Sequence, residues 1–184
     1  MIKIQLVDDE PNILRSLQRV LRPLHLEIHA FTDPQEALLA LTENEYAVII
    51  SDYKMPSLNG ITYLQFAKQR QPCAMRMVLS AFGDRESMLQ AINQAEIYRF
   101  LSKPWEDYEI ESAVKGAVDL YLLRVENQQL LVCMQNQQTA LDRQEQALRR
   151  LEAESPGITK VMRDERGMVL LDVGEAGDGN IFSS

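Results

Sequence analysis

The chain has 184 residues, of which 46% are hydrophobic and 25% charged, and its formal net charge is −8. That length fits one ordinary domain with an appendage rather than two full domains, and that composition excludes wholesale disorder. The acidity argues against general binding of nucleic-acid phosphates. No apolar run, Ala47–Ile50 and Met168–Leu171 among them, approaches the ~20 residues that span a bilayer. Cys73 and Cys133 are too few for a disulfide scaffold; with no signal peptide, they fit a reducing, cytoplasmic setting.

The first hundred residues alternate between two periods. Ile2–Val7 is an apolar run that ends in Asp8-Asp9, and Pro11 to Arg22 carries helical spacing at Ile13, Leu14, Leu17, Val20 and Leu21. Leu26–Phe31 reads as a strand. Asp33-Pro34-Gln35-Glu36 opens the next helix with an N-cap, a proline at N1 and a capping-box glutamate at N3. Ala47–Ser51 is a second buried run ending in an acid, Asp52. Gly60–Gln69 is helical, Met75–Ser80 a strand, Asp84–Gln94 a helix, and Ile97–Ser102 a strand that stops at Lys103-Pro104. Five strands alternating with helices predict an α/β fold, a parallel five-stranded sheet covered on both faces, with function at the carboxyl ends of its strands.

From Trp105 onward the helical pattern continues. No proline occurs between Pro104 and Pro156, and the only glycine in that stretch is Gly116. An extended helix over residues 105–152 suggests a coiled coil. With Leu120 at position a, the a positions are Leu120, Asn127, Met134, Leu141 and Leu148, and the d positions Leu123, Leu130, Gln137, Gln144 and Leu151. That seam is apolar but interrupted, and it predicts a parallel homodimer through residues 120–151. Residues 156–172, with Asp164-Glu165-Arg166-Gly167 between two apolar runs, read as a small C-terminal β-hairpin, and residues 173–184 as a disordered tail. Most of the acidity lies in the helix and tail, since the first 104 residues carry a net charge of only −1.

Four strand ends carry chemistry: Asp8 and Asp9, then Asp52, then Ser80, then Lys103. In this topology those ends are neighbours. Three carboxylates in one crevice repel and raise each other's pKa, a hard divalent cation relieves the repulsion, and oxygen-only ligation favours Mg²⁺. A carboxylate nucleophile, a metal, a lysine and a hydroxyl are together suited to phosphoryl transfer.

Val7-Asp8-Asp9-Glu10-Pro11, Ser51-Asp52-Tyr53-Lys54-Met55-Pro56 with Gly60, Leu79-Ser80-Ala81 and Phe100-Leu101-Ser102-Lys103-Pro104-Trp105 resemble the receiver domain of bacterial two-component response regulators over about residues 1–120. The resemblance implies a doubly wound (βα)5 fold with Asp52 as phosphoacceptor. It implies direct Mg²⁺ ligation by Asp9, a water-mediated or supporting role for Asp8, and the carbonyl of Lys54 as a further ligand. Ser80 would be the switch hydroxyl, Phe100 the switch aromatic, and Lys103 the partner of the phosphoryl group. Ser80 stands where threonine is commoner and Phe100 where tyrosine is commoner, so the hydroxyl is kept at one position and lost at the other. The donor would be a histidine kinase or phosphotransfer protein. The expected chemistry is limited to self-phosphorylation and hydrolysis of the chain's own acyl phosphate.

Nothing after residue 120 resembles a DNA-binding or catalytic output domain, so output is expected through a downstream protein partner. A competing reading makes these residues the regulatory portion of a longer protein with a separate catalytic domain; the self-contained look of residues 156–172 argues against an arbitrary cut. A third, an aspartyl-phosphate hydrolase, requires an acid two residues after the nucleophile, where this chain has Lys54. His25 and His29 lie away from the acidic crevice and read as surface or packing residues.

Overall fold

The computed structural model describes residues 1–81 and 95–154. In chain order it contains β1 (Lys3–Val7), α1 (Pro11–Leu21), a 3₁₀ turn (Arg22–Leu24), β2 (Glu27–Phe31), α2 (Pro34–Glu43), β3 (Val48–Asp52), α3 (Gly60–Arg70), β4 (Met75–Ala81), β5 (Ile97–Lys103) and a long helix (Asp107–Glu154). The helix expected at 84–94, the hairpin at 156–172 and the tail at 173–184 fall outside the described residues. The five strands form one parallel sheet in the order β2-β1-β3-β4-β5. The chain therefore reverses direction across the sheet between β2 and β3, which is the doubly wound arrangement the alternation predicted.

Alternation along each strand divides the core into two layers. Ile4, Leu6, Val48, Ile50, Met77, Leu79 and Leu101 pack with the apolar stripe of α1 and with Ile110, Ala113, Val114 and Ala117 of the long helix. Val7, Ile49 and Val78 pack on the opposite face with Ala37, Leu41, Ile61, Tyr63, Leu64 and Ala67 from α2 and α3. All five residues of β3 are buried because it lies inside the sheet with both faces covered. In α1 the spacing of Leu14, Leu17, Val20 and Leu21 puts every buried residue on one stripe, each worth roughly 1.5–3 kcal/mol when removed from water. Pro11 begins that helix, where a missing N–H costs nothing, and Pro23 follows its end. Asp33 caps α2 by accepting from the Gln35 N–H at 2.8 Å, with Pro34 in the first turn.

Polar side chains within the sheet find partners. Gln5 donates to the Ala37 carbonyl at 2.9 Å and accepts from the Tyr63 hydroxyl, so its burial is compensated. His29 bridges the Tyr46 hydroxyl (2.8 Å) and Glu27 (2.9 Å) at the β2 edge, the packing role expected for it.

Two compact units divide the chain, Met1–Leu130 and Leu131–Ser184. The first holds the whole sheet and the buried start of the long helix. In the second, the helix runs on to Glu154, and every residue from 131 to 154 is exposed, Leu131, Met134, Leu141, Leu148 and Leu151 among them. The helix begins at Asp107, two residues later than the sequence pattern suggests, with Asp107 and Glu109 in its first turn. Among the described residues, no helix is long and apolar enough to cross a membrane.

Candidate functional site

Because β1, β3, β4 and β5 are consecutive and parallel, their carboxyl ends share one edge of the sheet. Asp8 follows the last residue of β1, Asp52 ends β3, Ser80 is the penultimate residue of β4 and Lys103 ends β5. Asp52 pairs with Leu79, Ser80 with Ser102 and Ala81 with Lys103, so strand register brings the ends of β3, β4 and β5 level along this edge.

The centre of the site is Lys103. Its ammonium donates to Asp8 Oδ2 at 2.7 Å and lies 2.5 Å from Asp52 Oδ1. The remaining carboxylate oxygens are also held: Asp8 Oδ1 accepts from the Glu10 N–H at 2.9 Å, and Asp52 Oδ2 from the Lys54 N–H at 2.8 Å. Asp8 is 1% exposed and Asp52 6%, whereas Asp9 lies in water beside them. Burial pushes the Asp8 carboxyl above the usual carboxylate range, against the pull of Lys103 and the Glu10 N–H; repulsion from Asp52 adds only a smaller push. Mutual repulsion, the cause expected of clustered carboxylates, is therefore the lesser one here, and burial the larger. Burial also works against the Lys103 charge, but hydrogen bonds to Asp52 and Asp8 outweigh it, and the ammonium is held above its ordinary value. The lysine is thus a fixed cation between two fixed acceptors.

Gly60 shapes the loop after Asp52. A Cβ there would fall 1.9 Å from the Asp52 carbonyl oxygen and 3.0 Å from Ser51 Oγ. The Gly60 N–H donates to the Tyr53 carbonyl at 3.0 Å, and the Tyr53 N–H to the Leu79 carbonyl at 2.8 Å. Only a residue without a side chain lets α3 begin so close to the strand end that carries Asp52. Ser80 is buried near the end of β4. Phe100, opposite Val78, is half-buried against the core on the α2 and α3 face. The Lys103–Pro104 peptide is cis.

The side-chain donors on this edge are all oxygens: the carboxylates of Asp8, Asp9 and Asp52. Lys103 offsets one of the three carboxylate charges. Such a set fits a hard divalent cation such as Mg²⁺ and does not suit a soft one. Among the described residues, no three His, Cys, Asp or Glu side chains are already gathered as a metal cage. The structure brings Asp8 and Asp52 together through Lys103 and leaves Asp9 at the rim.

One residue that the sequence reading passed over is Arg76. It is the second residue of β4, 1% exposed, and donates to the carbonyls of Ala95 (2.8 Å) and Ala74 (2.6 Å). The signal for it was a lone charge inside an otherwise apolar strand.

Comparisons with known proteins agree with this geometry. The family described as response regulator receiver domain matches residues 4–115. The chain is similar to the hydrogenase transcriptional regulatory protein HoxA of Bradyrhizobium diazoefficiens, with 31% identity over 68% of this chain and 26% of that one. It is also similar to the DNA-binding transcriptional regulator NtrC of Salmonella typhimurium, with 30% identity over 64% of this chain and 25% of that one. The chain thus spans about a quarter of the length of these curated relatives. Among solved structures, the signal receiver domain of an HD domain-containing protein from Pseudomonas fluorescens matches at 36% identity and a TM-score of 0.65, over 68% of this chain and 92% of that one.

Proposed function

We propose that this chain, which belongs to the response regulator receiver domain family, accepts a phosphoryl group on Asp52 and signals through a protein partner rather than through DNA. The observation that carries the reading is the Lys103 ammonium shared between Asp8 and Asp52. Receiver domains as a family accept phosphate from histidine kinases and generally bind Mg²⁺ for that step. In the proposed reaction a carboxylate oxygen of Asp52 forms a bond to phosphorus while the donor's P–N bond breaks, and the electron pair leaves with the donor imidazole. Lys103, already poised over Asp52, stabilises the charge on the phosphoryl oxygens. Ser80 supplies a hydroxyl to one of those oxygens. Asp8, Asp9, Asp52 and the Lys54 carbonyl are the groups that would hold Mg²⁺, whose contribution is charge neutralisation of the phosphoryl group.

As Ser80 turns toward the phosphoryl group, the reading has Phe100 move into the space it vacates, which changes the face made by β5 and the start of the long helix. Phosphorylation then acts as a ligand that favours one of two arrangements. The apolar seam of the long helix supports a parallel homodimer as the output element. Leu123, Leu130, Met134, Leu141, Leu148 and Leu151 are each at least half exposed, which is costly for a lone chain in water. Asn127 at an a position favours two strands in register. The second reading, a regulatory portion of a longer protein, is supported by the quarter-length match to the relatives. An intact-mass measurement on the native protein decides between them.

Incubation with a small phosphodonor and Mg²⁺ tests the site. Wild-type protein should gain one acid-labile phosphate, and Asp52→Asn, which keeps the shape and removes the nucleophile, should gain none. Equal loading of the two would sink the assignment.

A further inference from the structure

The long helix has one glycine among its 48 residues, Gly116. Glycine weakens a helix interior, so its presence calls for a reason in the packing. A Cβ at Gly116 would lie 3.0 Å from the Tyr98 hydroxyl oxygen, so the missing side chain is matched by a tyrosine seated on that turn. Tyr98 is itself unusually placed. Arg76 of β4 pairs with Ile97, and the next residue, Met77, pairs with Arg99, so Tyr98 is the extra residue of a β-bulge. Bulges re-aim side chains, and this one faces the long helix.

The bulge is anchored from inside the sheet. The buried Arg76 guanidinium holds the Ala95 carbonyl at 2.8 Å and faces Glu96 Oε2 at 3.5 Å. Glu96 has a φ of 47° and a second contact to Lys68 of α3 at 2.7 Å. The entry to β5 is therefore fixed at Ala95 and Glu96, and the next departure from regular pairing is at Tyr98. Two residues further on is Phe100, and three beyond that Lys103. On the helix side, the residues nearest Gly116 that enter the core are Ala113, Val114 and Ala117. The tyrosine on the Cβ-less turn is specific to one position, since rotation by one residue would bring Lys115 or Ala117 beneath it.

We infer that Tyr98 is a positioning residue that, seated on Gly116 from the β5 bulge, transmits a change in β5 to the long helix. The contact lies one helical turn before Leu120, where the proposed seam begins. The inference rests on Asp52 as phosphoacceptor and on the long helix as output, and it adds the joint between them.

Amide hydrogen exchange on the full chain, with and without beryllofluoride, tests it. In the wild type, beryllofluoride should change protection at residues 97–105 and also at 113–123. In Tyr98→Ala the change at 97–105 should remain while that at 113–123 falls about fivefold or more. A double-mutant cycle guards against misfolding of that variant. Gly116→Ala should alter protection at 113–123 without any ligand, and Tyr98→Phe, which removes the crowded hydroxyl, should reverse this. A simple gain in helix propensity would be the same in both backgrounds. The inference is overturned if Tyr98→Ala passes the full change to 113–123, or if Gly116→Ala acts alike with and without Tyr98→Phe. Failure of Asp52 to load phosphate would overturn the functional reading itself and is scored separately.

Discussion

Gly60→Ala is the most demanding test of the site, because a single methyl group is set against a rigid strand end. Its Cβ would fall 1.9 Å from the Asp52 carbonyl oxygen, against 3.4 Å for an ordinary contact, so about 1.5 Å of separation must be found. The strand has little to yield: Asp52 is paired with Leu79, and Tyr53 donates to the Leu79 carbonyl at 2.8 Å. The movement therefore falls on α3, which would lift Ile61, Tyr63, Leu64 and Ala67 out of their packing. Overpacking a well-filled site costs roughly 1–3 kcal/mol, and a clash with backbone belongs at the upper end. For a unit of this size that is a loss of roughly 10 °C in melting temperature. If instead the loop carrying Asp52 distorts, phosphorylation from a small donor should slow about a hundredfold, the cost of displacing a reacting group by ~1 Å. Urea denaturation and phosphate loading on the same protein separate the two outcomes. A variant with wild-type stability and a loading rate within about twofold of wild type would refute the steric argument.

Asp8→Asn should stabilise the fold at neutral pH while impairing phosphorylation, the usual trade between a charged site and stability. The sign follows from linkage: burial raises the Asp8 pKa, so its favourable contribution is present below the usual carboxylate range and is lost as pH rises through the raised value. The advantage of the variant should accordingly vanish on acidification, and melting curves between pH 3 and 8 would show it. Ser80→Ala should load phosphate yet lose most of the beryllofluoride-dependent change in amide exchange at residues 97–105; an unaltered response would remove Ser80 from the switch. Leu130→Asp combined with Leu141→Asp should convert a dimer at tens of micromolar into a monomer by light scattering without slowing Asp52 phosphorylation. Wild-type protein that is already monomeric at that concentration would defeat the seam.

Much of this protein was determined by local pattern in the sequence. Alternating apolar runs and helical stripes specified the parallel sheet, because a strand buried on both faces has to be apolar throughout and a helix lying on it needs only one stripe. The site residues were legible for a related reason. Asp8, Asp52, Ser80 and Lys103 each stand at the end of an apolar run, and a parallel sheet brings such ends to one edge whatever else the chain does. Tertiary structure alone decided the balance of forces there. That the Asp8 pKa is raised by burial more than by Asp52, and that Lys103 bridges both carboxylates, depends on depth and distance between residues 44 to 95 positions apart. The same holds for Gly60, whose necessity comes from the Asp52 carbonyl. It holds for Arg76, whose charge is tolerated in a core strand because the carbonyls of Ala74 and Ala95 come to it, and for Gly116, which on its own is only a weak point in a helix. Periodicity records what each segment buries, but a close approach between distant segments leaves no period to read.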